Sequence, residues 1–252
     1  MAKSFTKPTE IDRTRLNSTR LVDRRILAWG VHLYTATGLV AAAAIAVLII
    51  RGDDASYRLA LLLMIVATII DSTDGWLARV VDVRKWAPSI NGRTLDEITD
   101  FHTYTSLPLL LIWHTGLLPG ASALVLVFAL VASAYGFSQT SAKTSDGFFL
   151  GFPSYWNAIA FYLYFMKLPV VIAAGAVFFF AVMTFIPARY LYPNAGGPLP
   201  RLTIILACLW GAVMILVLTG RLEHEQQVVW ISFAFPTYYL LMSWWITLRT
   251  RE

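Results

Sequence analysis

Apolar residues fill the chain in long runs broken by short polar interruptions, and the runs match the thickness of a bilayer core. A helix needs roughly 20 mostly apolar residues to cross the hydrocarbon. On that measure the sequence predicts about eight spanning helices, over residues 27–50, 57–81, 95–114, 120–140, 153–167, 169–188, 202–220 and 227–248. Only Lys167, Leu168 and Pro169 separate the fifth from the sixth, so the fifth is short. Pro193, Gly196, Gly197, Pro198 and Pro200 mark a loop between the sixth and the seventh. No fixed-period repeat and no low-complexity segment is evident. The expected fold is an all-α polytopic membrane protein, with a basic juxtamembrane segment over 1–26 and one transmembrane domain over 27–252.

Composition agrees with this pattern. The chain has 252 residues, 58% hydrophobic and 14% charged, which excludes an ordinary soluble domain. Net charge is +5, and much of the positive charge falls early, at Lys3, Lys7, Arg13, Arg15, Arg20, Arg24 and Arg25. A basic stretch directly before a span meets anionic lipid headgroups, so membrane lipids rather than nucleic acid are the expected partner. The apolar run that begins near Ile26 continues as a full span, which is not the form of a secretory signal peptide. The single cysteine, Cys208, permits no intramolecular disulfide.

Eight spans put both termini on one side, and the positive-inside rule makes that side cytoplasmic. Arg79, Arg84, Lys85, Arg93, Lys143, Arg189, Arg201, Arg249 and Arg251 then lie inside with the basic N-terminus, and only Arg51, Arg58, Lys167 and Arg221 fall outside. The end of span two and the start of span three face the cytoplasm.

Those two ends carry the chemistry. Asp71 and Asp74 are three apart, Asp96 and Asp100 four apart, so each pair lies on one helix face. The short basic connection between them makes the two helices antiparallel neighbours. Carboxylates inside an apolar chain are costly unless a cation pairs with them. Without matching lysines nearby, the cluster points to a divalent cation, and an all-oxygen site suits Mg²⁺ or Mn²⁺. Small side chains at Gly75 and Ala78, and again at Gly92, let a bulky ligand approach the backbone.

Read in full, the segment runs Asp71-x-x-Asp74-Gly75-x-x-Ala78-Arg79, then twelve residues, then Gly92-x-x-x-Asp96-x-x-x-Asp100. This string resembles the signature of the CDP-alcohol phosphotransferase family. The twelve-residue gap, Asn91 before Gly92, and the segment Phe152–Asn157 resemble its bacterial phosphatidylcholine-forming branch. The resemblance implies a transfer of the phosphatidyl group of CDP-diacylglycerol to choline, with release of CMP. It assigns Asp71, Asp74 and Asp96 to the metal and Asp100 to the base or a second metal position. It assigns the nucleotide to Asp71, Asp74, Gly75, Ala78, Arg79 and Gly92. It also implies a homodimer in the bacterial inner membrane, with the active site facing the cytoplasm.

Choline carries a fixed positive charge, which aromatic faces hold with help from a carboxylate. Tyr155, Trp156 and Asn157 are the first candidates and Tyr104 the next; Tyr135, Tyr162 and Tyr190 follow. Other acceptors within the family would make this a phosphatidylserine, phosphatidylinositol or phosphatidylglycerol-phosphate synthase. A phosphorylated acceptor needs an Arg or Lys cluster, and Lys143, Arg189 and Arg201 are spread over separate loops. A cation-coupled transporter is the rival from another class, but it leaves Gly75, Ala78, Arg79 and Gly92 unexplained and inverted repeats are not evident. His102, His114 and His224 read as polar or interfacial residues.

Overall fold

A computed structural model describes residues 10–142, 144, 147–191 and 199–249, with side chains from Val22 onward. Lys3, Lys7, Lys143, Pro193, Gly196, Gly197, Pro198 and Arg251 lie outside the described residues. The first described element is α1 (Glu10–Arg51), one unbroken helix that runs through the boundary between basic segment and first span. It packs along α2 (Asp54–Val81). Small and β-branched residues allow the close approach: Ala28, Thr35, Gly38, Ala42 and Ile45 are buried on α1, and Ala60 and Ala67 on α2. Asp53 caps α2, accepting from the Ser56 amide at 2.9 Å and the Ser56 hydroxyl at 2.7 Å. Those bonds hold its carboxyl below the ordinary aspartate value.

Asp82, in the left-handed conformation, ends α2 and leads through the short α3 (Val83–Trp86) to α4 (Gly92–Asp100). Asn91 caps α4 through the Thr94 amide, so the Asn-Gly pair that opens the second half of the motif is a helix start. A π-helical turn, Phe101–Ser106, joins α4 to α5 (Leu107–His114). Pro108 explains the wide turn: it lacks the N–H that would bond to the Tyr104 carbonyl, and its ring crowds that position. The helical path from Gly92 to His114 runs beside α2 in the opposite direction. Its far end is fixed where the Tyr57 hydroxyl meets His114 Nδ1 at 2.9 Å.

Then come α6 (Leu124–Ser138), α7 (Trp156–Met166), α8 (Val170–Met183), α9 (Pro200–Leu218), α10 (Glu225–Ser232) and α11 (Ala234–Arg249). Lys167, at φ 48°, and Pro169 make the sharp reversal between α7 and α8. Pro236 lies in the first turn of α11 and explains why the final apolar run is two helices.

Among the described residues, four helices are long and apolar enough to cross a membrane: Val22–Arg51, Asp54–Val81, Gly120–Ser138 and Pro200–Leu218, the third counting the 3₁₀ turn before α6. The eight expected spans are therefore not all found as single helices of spanning length. The segments at 95–114 and 227–248 are interrupted by the π turn and by the break at Phe233, and α7 and α8 are short. A second departure from all-α is a small antiparallel pairing of β1 (Phe148–Leu150) with β2 (Arg189–Leu191).

The end of the bundle opposite the motif is tied by charge. The Arg58 guanidinium donates to Glu225 at 2.6 and 3.0 Å, to Asp54 at 2.7 Å and to the Val217 carbonyl at 3.1 Å, joining α2 to α9 and α10. Tyr164 of α7 donates to Asp54 at the same end. Arg58 and Glu225 are only 18% and 24% exposed. Arg58→Met leaves a half-buried carboxylate without its partner and is expected to cost about 1–3 kcal/mol. A thermal melt of the purified protein checks this, with Arg58→Lys falling between the two because it keeps the charge but not the fork.

Candidate active site

The motif folds into one place. The carboxylates of Asp71, Asp96 and Asp100 each present an oxygen within 4.8 Å of the others, and all three side chains are half-buried. Helical spacing puts Asp96 and Asp100 on one face of α4, and antiparallel packing brings that face to Asp71 on α2. Three oxygen donors this close, supplied by carboxylates alone, fit a hard divalent cation. Asp71 Oδ2 also accepts a hydrogen bond from the Tyr104 hydroxyl at 2.8 Å.

Asp74 is placed differently. It is 6% exposed, and its Oδ2 accepts from the Thr35 hydroxyl of α1 at 2.8 Å. Beside it, the Tyr34 hydroxyl meets Thr73 Oγ1 at 2.8 Å. The first helix thus holds the second half of the Asp71–Asp74 pair. Sequence reasoning missed Tyr34 and Thr35. The available signal was a polar group, His32 to Thr37, inside an otherwise apolar run.

The remaining motif residues surround this centre. A Cβ on Gly75 would have only ordinary contact, 3.6 Å from an Arg79 guanidinium nitrogen, so open space lies above the backbone there. Arg79 itself is exposed. Ala78 packs on a small apolar cluster of Ala28, Val31, Val83 and Ala87. At Gly92 the close neighbour is protein: a Cβ there would come within 3.0 Å of His32 Cε1. The smallness of Gly92 lets α4 start against α1.

No protein-family model matches the chain. Curated relatives do. It is 34% identical to the phosphatidylcholine synthase of Borreliella burgdorferi, over 90% of this chain and 97% of that one. It is also 34% identical to that of Legionella pneumophila, over 87% and 88%, and 37% identical to that of Bradyrhizobium diazoefficiens, over 83% and 81%. The chain belongs to the phosphatidylcholine synthase family. This agrees with the resemblance carried by the aspartate motif.

In this phosphatidylcholine synthase family member, tyrosines continue inward from the carboxylates. The Tyr104 ring lies 6.1 Å from that of Tyr155, and Tyr155 lies 6.0 Å from Tyr239 of α11. Tyr239 stacks on Tyr190 at 6.3 Å. Tyr155 is half-buried and Tyr104 is 7% exposed. Trp156 is wholly buried, with its indole N–H donated to Ser133 at 2.6 Å, so it braces α7 against α6 and offers no open face. The Asn157 amide donates to Thr68 at 3.2 Å, one turn before Asp71 on α2. Tyr162 is also committed, between Ser232 and Trp210, and Tyr135 is exposed beside Phe185. His102 is exposed in the π turn, its Nδ1 2.8 Å from the Ile98 carbonyl, His114 pairs with Tyr57, and His224 is exposed before α10.

Proposed function

We propose that the protein transfers the phosphatidyl group of CDP-diacylglycerol to the hydroxyl of choline and releases CMP. The convergence of Asp71, Asp96 and Asp100 beside Tyr104 and Tyr155 carries this reading, because it sets a cation-binding carboxylate cluster against aromatic rings suited to a quaternary ammonium. Mn²⁺ or Mg²⁺ held by these carboxylates would neutralise the pyrophosphate and polarise the phosphorus under attack. The open face at Gly75, with Arg79 beside it, takes the nucleotide, while Asp74, Ala78 and Gly92 pack the helices that frame it. Asp100 accepts the proton of the choline hydroxyl as its oxygen bonds to phosphorus, and the bond from phosphorus to the CMP oxygen breaks. Tyr104 and Tyr155 flank the ammonium, while Trp156 and Asn157 hold the wall in place.

The same reading places the chain in the bacterial inner membrane with the cluster at the cytoplasmic face. Support for eight crossings comes from the alternation of the helices between two ends. Asp54, His114, Lys167 and Glu225 gather at one, and the aspartates, the β pairing and the start of α9 lie toward the other. The exposed Arg24 and Arg25, just before residue 27, suit a position at the lipid headgroups. Homodimerisation rests on the family resemblance alone.

An acceptor panel tests the assignment. Purified enzyme in detergent is given CDP-diacylglycerol, Mn²⁺ and, separately, choline, ethanolamine, serine, inositol or glycerol 3-phosphate, and CMP is measured. Choline is expected to give the highest kcat/KM, with ethanolamine lower because it lacks the methyl groups that contact the rings. Faster turnover of serine or inositol would remove choline from the reading and leave only the phosphotransfer chemistry.

A further inference from the structure

We propose that Tyr104 does two things at once: its hydroxyl positions Asp71, and its ring forms a wall of the acceptor site. The second role rests on choline being the acceptor; the first does not.

The hydroxyl donates to Asp71 Oδ2 at 2.8 Å, and Asp71 is one of the three carboxylates gathered within 4.8 Å. A bond to one oxygen fixes the plane of the carboxylate, and hydrogen bonds to a charged acceptor are among the stronger ones. The ring lies 6.1 Å from Tyr155 at a tilt of 48°, and Tyr155 in turn meets Phe152 and Tyr239. Tyr104 is therefore the point at which the aromatic series touches the carboxylate cluster.

Its backbone is specialised for the position. Tyr104 sits inside the π turn, where the Leu107 amide bonds back to the His102 carbonyl, five residues earlier. Pro108 makes a regular α-helix unfavourable there, and single wide turns of this kind re-aim side chains at functional sites. Acceptor binding against the ring and cation binding on Asp71 thus bear on one rigid side chain. Loss of the hydroxyl and loss of the ring have separable effects.

The test uses the full chain purified in detergent, with Mn²⁺ affinity measured by electron paramagnetic resonance and choline kinetics by CMP release. Tyr104→Phe keeps the ring and removes the hydroxyl. It is expected to raise the Mn²⁺ Kd on the order of tenfold and to lower kcat similarly, with the choline KM within about twofold of wild type. Tyr104→Leu removes both, and is expected to add a rise in choline KM of roughly 3- to 30-fold. Tyr104→Met serves the same purpose if the leucine variant fails to fold. Wild-type Mn²⁺ Kd and kcat in Tyr104→Phe overturn the positioning role. A choline KM in Tyr104→Leu and Tyr104→Met no higher than in Tyr104→Phe overturns the acceptor role. A wild-type enzyme that prefers another acceptor defeats the choline assignment, and the Mn²⁺ measurement then still decides the positioning role by itself.

Discussion

Asp96→Asn is expected to reduce CMP release to background, a loss of at least ~10³-fold. Metal ions supply several kcal/mol of charge stabilisation to phosphoryl transfer, and about 4 kcal/mol corresponds to that factor. Asp96 and Asp71 present oxygens within 4.8 Å of one another and of Asp100, and with Asp100 given to proton removal these two carry most of the negative charge that holds the cation. The Mn²⁺ Kd should rise in parallel with the loss of turnover. In the absence of metal the variant should melt no lower than wild type, because one of three mutually repelling carboxylates is gone. The wild-type enzyme should lose activity in EDTA and recover it with Mn²⁺ or Mg²⁺. Near-wild-type turnover of purified Asp96→Asn or Asp71→Asn in Mn²⁺ would sink the assignment. Asp74→Asn is informative in a different way, since the Thr35 hydroxyl already occupies one of its oxygens. A raised Mn²⁺ Kd there puts Asp74 among the metal ligands, and an unchanged Kd with lost turnover gives it to the nucleotide.

The second large effect is expected at Asp100. It lies one turn beyond Asp96 on α4, immediately before the π turn that carries Tyr104. An alcohol is a poor nucleophile at neutral pH, and positioned proton removal contributes on the order of 10²–10⁴ in rate. Asp100→Asn should lower kcat by such a factor while the KM for CDP-diacylglycerol and the Mn²⁺ Kd stay within about threefold of wild type. Equal losses in kcat and Mn²⁺ affinity would make Asp100 a third metal ligand and leave the base to be found elsewhere. Because its carboxylate belongs to the same close cluster as Asp71 and Asp96, the kinetic split is the measurement that decides between the roles.

Much of this site was legible in the sequence because it is written in local spacing. Three and four residues separate the aspartates of each pair, and the helix period turns those numbers into a shared face. The glycines and Pro-containing breaks were equally local, and Lys167–Pro169 reverses the chain where its composition says it must. Long apolar runs fixed the helical, membrane-like character. Their unbroken continuity did not follow, since Pro108 and Pro236 interrupt two of them without lowering the apolar content.

What the sequence determined by itself was the set of apolar helices and the pairing of carboxylates within each of two of them. Tertiary structure alone decided which carboxylates meet. It drew Asp74 to Thr35, 39 residues away, and joined Asp71 to Tyr104 rather than leaving both aspartates of α2 equivalent. It also closed Trp156 against Ser133 and left Tyr155 beside Tyr104. The reason is physical. Outside the aspartate-bearing segments most helices of this chain are apolar nearly all round, so no polar face marks which side turns inward. Helix facing is set by close packing at small residues such as Gly38, Ala42 and Ala60 and by hydroxyl-to-carboxylate bonds between helices, and neither leaves a periodic trace in the sequence.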